Sequence, residues 1–458
     1  MIFDKQAMPN PGLLARSLVR RLRSDSLLRN SIYIMATGVA TSAFGYIYWI
    51  VAAHIYSAYD VGLASALISV MTLTSALSNL GIGSALVQML PRRETGYAWS
   101  LTLNAGLVTG TLAGLLAGAI VVVALPLLSS QFAIVGHHAG YILALVAGVP
   151  LITLSVLLDQ AFVAERTANY MLLRNTAFAV LKIPLMVFPV LLAQADPLGI
   201  FSSWVLAGAV TLIGGLLLVS RLGRAYCLAL RGMVGQVRSM LSSLAGHHFI
   251  NLGGMVPMFL LPVFVTMRLS ATDNAYFYTA MRLGDFFFMG SSAVAVSLFA
   301  EGSHVADDLQ RKVRSSAVII GILLCPAMLI CFLGGRYIML LFGPDYAQHG
   351  LPLLMILTIA AVPDAVTNVY VSVLRVHGRL RHAALLNLGM ALLTLALAWM
   401  LLPTLGIVGA GWALLIAQSA GSLVAGVDVI RIRHRWNRTG KSAIQSDSGR
   451  VEVETRID

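Results

Sequence analysis

The chain has 458 residues, of which 58% are hydrophobic and only 11% are charged. A soluble domain carries about 25% charged residues, so the composition excludes a mainly soluble protein and indicates a membrane protein. The net charge of +12 does not predict nucleic-acid binding, because the basic residues are confined to particular connections and tails. The three cysteines provide no paired framework, and we expect no redox or metal role for them.

Apolar segments long enough to cross a bilayer follow one another along nearly the whole chain. They cover residues 30–55, 60–90, 98–126, 139–163, 172–194, 198–220, 243–268, 274–300, 315–334, 350–373, 382–403 and 405–430. The sequence therefore predicts an all-α polytopic membrane protein with twelve transmembrane helices.

Lysine and arginine are distributed unequally between the connections. Nearly all of the 31 basic residues lie in the two tails and in the connections 91–97, 164–174, 221–242, 301–314 and 374–381. The positive-inside rule places these regions, and both termini, in the cytoplasm. The predicted regions are a basic arm (1–29), a six-helix lobe (30–220), a linker (221–242), a second six-helix lobe (243–430) and a disordered tail (431–458).

The linker 221–242 has its own periodicity. Arg224, Arg231 and Arg238 recur every seven residues, and apolar side chains fall on the opposite side of a helix. This pattern predicts an amphipathic helix that lies on the cytoplasmic leaflet with its apolar side down. The alternative is an ordinary solvated basic loop.

The two halves read as repeats in the same orientation. Residues 51–60 resemble residues 265–274, and Leu-Gly-Ile precedes the last helix of each half. In the second helix of each half, polar residues share one spacing: Ser65, Ser69, Thr72 and Asn79 in the first, and Tyr278, Arg282, Asp285 and Ser292 in the second. A pseudo-twofold axis between the lobes would place both polar stripes on a shared central cavity.

Several stretches carry a family resemblance. They are Ala52–Gly62, Leu80–Leu86 followed by Leu90–Arg93, Leu341–Tyr346, Val376–Arg379 and Pro403–Ala413. In this order and spacing, they resemble the bacterial polysaccharide (oligosaccharide) flippases of the multidrug/oligosaccharidyl-lipid/polysaccharide exporter superfamily. The resemblance covers roughly residues 30–430.

The resemblance implies a fold and a function. The expected fold is the V-shaped, two-lobed architecture of multidrug and toxin extrusion (MATE) proteins, which opens alternately to either side of the membrane. The expected cargo is a polyprenyl-pyrophosphate-linked oligosaccharide, moved from the cytoplasmic to the outer leaflet of the bacterial inner membrane during polysaccharide (exopolysaccharide) biosynthesis. Other membrane proteins of glycan assembly are the implied partners.

Arg282 is the principal candidate for substrate binding. It lies in a long apolar run, where a charge costs roughly 2.5–3.5 kcal/mol even on lenient insertion scales. Tyr278, Arg282 and Asp285 fall on one helix face, so we expect that face to look into the protein or a wet cavity. Arg282 either binds the substrate's phosphate groups in a bidentate fork or is neutralised by Asp285 within the helix.

Two other intramembrane residues are candidates. Lys182, near the middle of the fifth span, has no carboxylate within four residues, and it either contacts substrate phosphate or pairs with Asp159 of the fourth span. Asp364, beside Pro363, has no obvious local counter-charge, and it is either a site of proton or sodium coupling or a protonated, hydrogen-bonded core residue. Asp285 and Asp159 are further candidates for ion coupling.

The remaining candidate residues are polar groups near the ends or faces of spans. His54 and Arg268 occupy corresponding outer ends and either contact a departing headgroup or anchor the helices in the interface. Ser69 and Asn79 belong to the uncharged stripe of the first lobe. No phosphate-binding loop and no metal-ligand spacing is present, so the sequence predicts a transporter without cofactor rather than an enzyme.

Two other functions remain open. One is a cation-coupled exporter of drugs or metabolites on the same scaffold, although a cationic drug favours an acidic cavity. The other is a non-transporting scaffold of a glycan-synthesis complex, for which buried charges bring no advantage.

Overall fold

The structure is a computed structural model and describes residues 26–304 and 309–428. Within these ranges every regular element is a helix, which confirms the predicted all-α class. The first eight helices are α1 (Ser26–Ile55), α2 (Ala58–Ser78), α3 (Ile82–Met89), α4 (Gly96–Leu128), α5 (Ala133–His137), α6 (Ala139–Ala164), α7 (Ala168–Leu191) and α8 (Pro197–Val219). The next six are α9 (Met233–Arg268), α10 (Ala271–His304), α11 (Leu309–Leu340), α12 (Pro344–Val376), α13 (Leu380–Leu405) and α14 (Ile407–Asp428).

Within the described ranges, ten helices are long and apolar enough to cross a membrane. The other two predicted spans correspond to α9, whose described part contributes a shorter apolar stretch at Met255–Arg268, and to α10. The chain is therefore a multi-pass membrane protein, as its composition predicted.

The second predicted span, 60–90, is wrong as a single helix. The chain breaks between α2 and α3, where Leu80 and Gly81 both have positive φ angles, 50° and 80°. The Asn79 side chain accepts a hydrogen bond from the backbone N–H of Gly83 at 3.0 Å and so caps α3. Asn and Gly favour such breaks, because a side-chain oxygen replaces a lost backbone partner and Gly tolerates the left-handed region.

The chain divides into two compact units. Among the described residues, the first comprises those up to Tyr278 together with Leu340–Tyr346, and the second comprises those of Thr279–Met339 and those from Ala347 onward. The division falls inside α10, so the lobe boundaries predicted around 221–242 remain a prediction.

Glycine spacing explains the close packing in the first unit. Gly106, Gly110, Gly114 and Gly118 recur every fourth residue of α4. A Cβ at Gly114 would lie 2.8 Å from Cα of Pro150, and one at Gly118 would lie 3.2 Å from the Leu145 carbonyl, so α4 and α6 meet backbone to backbone. Small residues at this spacing allow membrane helices to approach each other closely.

The predicted amphipathic helix is wrong for the first half of the linker 221–242. Residues 233–242 are helical and belong to α9, which begins after Gly232 with a φ of 89°, whereas residues 223–230 are non-helical. This segment lies along α4 as an extended strap: Cys227 N donates to Ser100 Oγ at 3.1 Å, and Asn104 Nδ2 donates to the carbonyls of Cys227 and Ala229, both at 3.2 Å. The seven-residue spacing of the arginines did not predict this extended segment, because polar groups of α4 satisfy the backbone of the strap.

Candidate functional site

Arg282 and Asp285 form an ion pair on α10. The distance from Arg282 Nη1 to Asp285 Oδ2 is 3.1 Å, which confirms the internal pair as one of the two predicted roles. The two side chains are 23% and 19% exposed, so the pair is partly accessible. Further along this face Met289 and Ser292 are exposed, while Tyr278 at its start is buried against Trp49, with ring centroids 4.8 Å apart.

Asp364 of α12 lies in a buried cluster of neutral polar groups. Its Oδ2 accepts hydrogen bonds from Ser291 Oγ of α10 and from Asn368 Nδ2, both at 2.8 Å. Thr367, three residues further along the same helix, donates its hydroxyl proton to Gln418 Oε1 of α14 at 3.0 Å. No ion pair within the described residues includes Asp364, so the carboxyl group is held by dipoles and not by a cation. Such a group is chemically suited to gain and lose a proton or to bind a small cation.

Lys182 of α7 is buried, with 4% of its surface exposed, and sits in a cage of aromatic rings. Its ammonium group lies 4.3 Å from the ring centroid of Trp204, 4.6 Å from that of Tyr48 and 5.4 Å from that of Phe178. Cation–π attraction replaces part of the lost hydration. The predicted pairing of Lys182 with Asp159 is wrong, because Asp159 has another partner.

That partner is Arg174, which the sequence analysis had assigned to a cytoplasmic connection. Arg174 Nη2 and Nε donate to the two carboxylate oxygens of Asp159 at 2.6 and 3.1 Å, and Asn175 Nδ2 adds a third bond at 2.9 Å. Arg174 lies six residues after the first residue of α7 and is buried, and the absent side chain of Gly215 makes room for it. A bidentate pair of this kind is the strong class of buried ion pair.

The uncharged stripe of α2 is largely occupied by local hydrogen bonds. Ser69 is buried and donates to the Ser65 carbonyl at 2.8 Å. Ser65 itself meets α10, because Asn274 Nδ2 donates to Ser65 Oγ at 3.1 Å and to the Gly62 carbonyl at 2.8 Å. Asn274 is fully buried and was not among the predicted site residues, although it ends the stretch that suggested the internal repeat.

The two outer-end candidates are exposed. His54 Nδ1 lies 2.8 Å from the Ile50 carbonyl of its own helix, and Arg268 is the last residue of α9. The part of the chain that the structure describes contains no group of three His, Cys, Asp or Glu side chains that could hold a metal ion.

The structure therefore groups the candidates into four constellations. They are the Arg282–Asp285 pair of α10, the Asp364 cluster of α10 and α12, the Lys182 cage, and the Asp159–Arg174 pair. Each combines residues from more than one helix, except the Arg282–Asp285 pair. Only that pair was identified from spacing alone.

Comparison with solved structures establishes the class of fold. No protein-family model matches the chain, and no curated protein matches its sequence. The fold matches that of MATE transporters and of a lipid II flippase.

The lipid II flippase MurJ, in an inward closed conformation, superposes with a TM-score of 0.71 at 10% identity, covering 87% of each chain. An inward-facing multidrug resistance MATE family transporter of the MOP superfamily gives a TM-score of 0.63 at 16% identity, covering 91% of this chain and 96% of the transporter. A MATE structure in complex with MaL6 gives 0.59 at 18% identity, covering 92% and 97%. At these identities the likeness shows a shared fold.

Proposed function

We propose that the protein is an alternating-access flippase that moves a polyprenyl-pyrophosphate-linked oligosaccharide from the cytoplasmic to the outer leaflet of a bacterial inner membrane. The observation that carries the proposal is the Arg282–Asp285 pair, which lies partly exposed on a helix that the sequence places in the membrane. A cation that binds an anionic headgroup has to remain accessible to it, and this pair is partly exposed.

In this mechanism the guanidinium of Arg282 exchanges its partner. When the headgroup is absent, Asp285 compensates the charge at 3.1 Å. When the pyrophosphate enters, two of its oxygens accept hydrogen bonds from the guanidinium fork and carry more negative charge than the carboxylate, so they compete with Asp285. Similarity in fold to a lipid II flippase supports this substrate class, because that protein also carries a lipid-linked molecule.

We assign energy coupling to Asp364. Its hydrogen-bond partners Ser291 and Asn368 are neutral, so protonation or Na⁺ binding changes the charge of the cluster without breaking an ion pair. Ser291 also lies on α10, the helix of Arg282, which links the coupling group and the binding pair through one rigid element. In the first unit we keep Lys182 as a candidate for substrate binding and Asp159 as a candidate for ion coupling. Lys182 is surrounded by aromatic rings, and Asp159 is paired with Arg174.

The experiment is a flipping assay in vesicles. Purified protein is reconstituted with a polyprenyl-pyrophosphate-linked oligosaccharide, and the glycan that reaches the far leaflet is released by an added glycosidase. Arg282→Ala is expected to lower the rate at least tenfold at equal protein content, because one charge-assisted contact to phosphate is worth about 1.5–3 kcal/mol.

Arg314→Ala is the matched control, since Arg314 is an exposed arginine on α11 and its loss removes the same formal charge. Full activity of the Arg282 variant would remove this residue from the mechanism.

A cation-coupled multidrug exporter is the second candidate, and the neutral surroundings of Asp364 together with the MATE-like fold favour it. Expression in a drug-sensitive host separates the two functions. Resistance that depends on Asp364, with no flipping of the glycolipid, would support the exporter and refute the flippase.

A further inference from the structure

A groove of about 640 Å³ lies between α4 and the first two turns of α9, within the first unit. Its lining is apolar except for one hydroxyl and one cation. The lining residues are Val108, Thr109, Leu112, Met233, Val234, Val237 and Arg238.

Hydrogen bonds on either side of the start of α9 hold the walls of this groove. Tyr97 of α4 donates its hydroxyl proton to the Arg231 carbonyl at 3.1 Å, immediately before α9 begins. Arg93 Nη2 donates to Gln236 Oε1 at 3.0 Å in the first turn of α9. The first turns of α9 are therefore held at a defined position against α4, and the groove does not require a ligand to form.

The apolar wall continues into the membrane-spanning part of α4. Leu112 is 62% exposed and Val234 is 84% exposed. Beyond the groove the same helix exposes Leu116, Ile120, Val123 and Leu127 at intervals of three or four residues. On a spanning helix an exposed apolar stripe is solvated by acyl chains, which are as apolar as leucine side chains.

Arg238 gives the mouth of the groove a single positive charge. The side chain is exposed, and no ion pair of the described residues includes it. The sequence also contains no Asp or Glu between Asp196 and Asp273, so no acidic residue close in the chain compensates this charge. Basic pockets between helices at the cytoplasmic side of membrane proteins bind anionic lipid headgroups.

We propose that this groove binds one anionic glycerophospholipid of the surrounding bilayer. The phosphate accepts hydrogen bonds from the Arg238 guanidinium, and one acyl chain lies on Val108, Leu112 and the stripe beyond them. A phosphodiester carries one negative charge and matches one guanidinium, whereas a pyrophosphate-linked glycan carries more charge and requires more polar partners than this groove offers. The bound lipid would fill the space between α4 and α9.

The test is native mass spectrometry of the full-length protein in detergent, titrated with phosphatidylglycerol or with phosphatidylcholine of the same acyl chains. One phosphatidylglycerol is expected to remain bound in preference to phosphatidylcholine. Arg238→Gln is expected to weaken the retention of phosphatidylglycerol about fivefold, because that is the contribution of one basic side chain near an anionic headgroup.

Two variants sharpen the test. Arg231→Gln removes an exposed arginine seven residues earlier that does not line the groove, and it is expected to leave retention unchanged. Leu112→Trp fills the apolar wall at an exposed position and is expected to abolish retention while the thermal unfolding of the protein is preserved.

Three results would overturn the assignment. Equal losses in both arginine variants would reduce the effect to general surface charge, and equal retention of phosphatidylcholine would remove the role of Arg238. Displacement of phosphatidylglycerol by equimolar polyprenyl phosphate would assign the groove to a substrate-like lipid and not to the bilayer.

Discussion

The buried pair of Asp159 and Arg174 permits a quantitative test of structure and function together. Its side chains are 12% and 4% exposed and are joined by two hydrogen bonds of 2.6 and 3.1 Å. Removal of one partner leaves an uncompensated charge, which costs about 3–5 kcal/mol. We expect Arg174→Met alone and Asp159→Leu alone to lower the free energy of unfolding by this amount.

The double variant provides the decisive comparison. With both charges replaced by apolar groups of similar size, no unpaired charge remains. We therefore expect the free energy of unfolding of the double variant to lie within about 1 kcal/mol of that of the parent. The measurement is equilibrium unfolding in mixed micelles, analysed as a double-mutant cycle. Arg379→Ala serves as the control, because Arg379 is half exposed and lies 3.9 Å from Asp428, so a change of at most about 1 kcal/mol is expected.

The reasoning would be refuted if the single variants cost less than about 1 kcal/mol, or if the two losses simply added. The double variant also decides the predicted coupling role of Asp159. If it folds and still flips substrate with the same dependence on proton or sodium gradients, Asp159 is structural. Loss of that dependence in a stable double variant would instead make Asp159 part of the coupling mechanism.

Three further predictions concern single positions. Gly62→Ala should lower the yield of folded protein and the flipping rate, because the new Cβ would overlap the Ala271 carbonyl oxygen; normal yield and rate would show that α2 and α10 need not approach so closely. Asn104→Ala should accelerate amide exchange in the strap by tenfold or more, since it removes two donors, each worth about 0.5–1.5 kcal/mol, and unchanged exchange would contradict the anchoring. Asp364→Asn should abolish the dependence of flipping on an ion gradient at unchanged abundance, and a retained dependence would remove Asp364 from coupling.

The sequence predicted the helices much better than their partners. Apolar length and the distribution of basic residues predict spans because the bilayer acts on each segment independently. The pairing of Arg282 with Asp285 followed from spacing within one helix, and the structure confirms it. Neither the residues nor their spacing indicated that Asp159 would select Arg174 over Lys182, because that choice depends on how α6, α7 and α8 pack.

Two local features were missed for a different reason. The break after Ser78 and the extended strap both depend on polar side chains that bind backbone groups, namely Asn79 with Gly83 and Asn104 with the strap carbonyls. A hydropathy pattern does not register such bonds, since it records the polarity of a residue and not the group that it contacts. The Asn-Leu-Gly sequence at 79–81 was the available signal for the first of them.

The hydrogen-bonded strap couples the start of α9 to α4, because Tyr97, Ser100 and Asn104 hold the segment immediately before α9. A displacement of the first turn of α9 is therefore expected to move α4 with it. Extra flexible residues inserted after the strap would separate the two helices' motions without disturbing these hydrogen bonds. For the proposed alternating-access cycle, we expect this insertion to slow transport although every binding residue is intact.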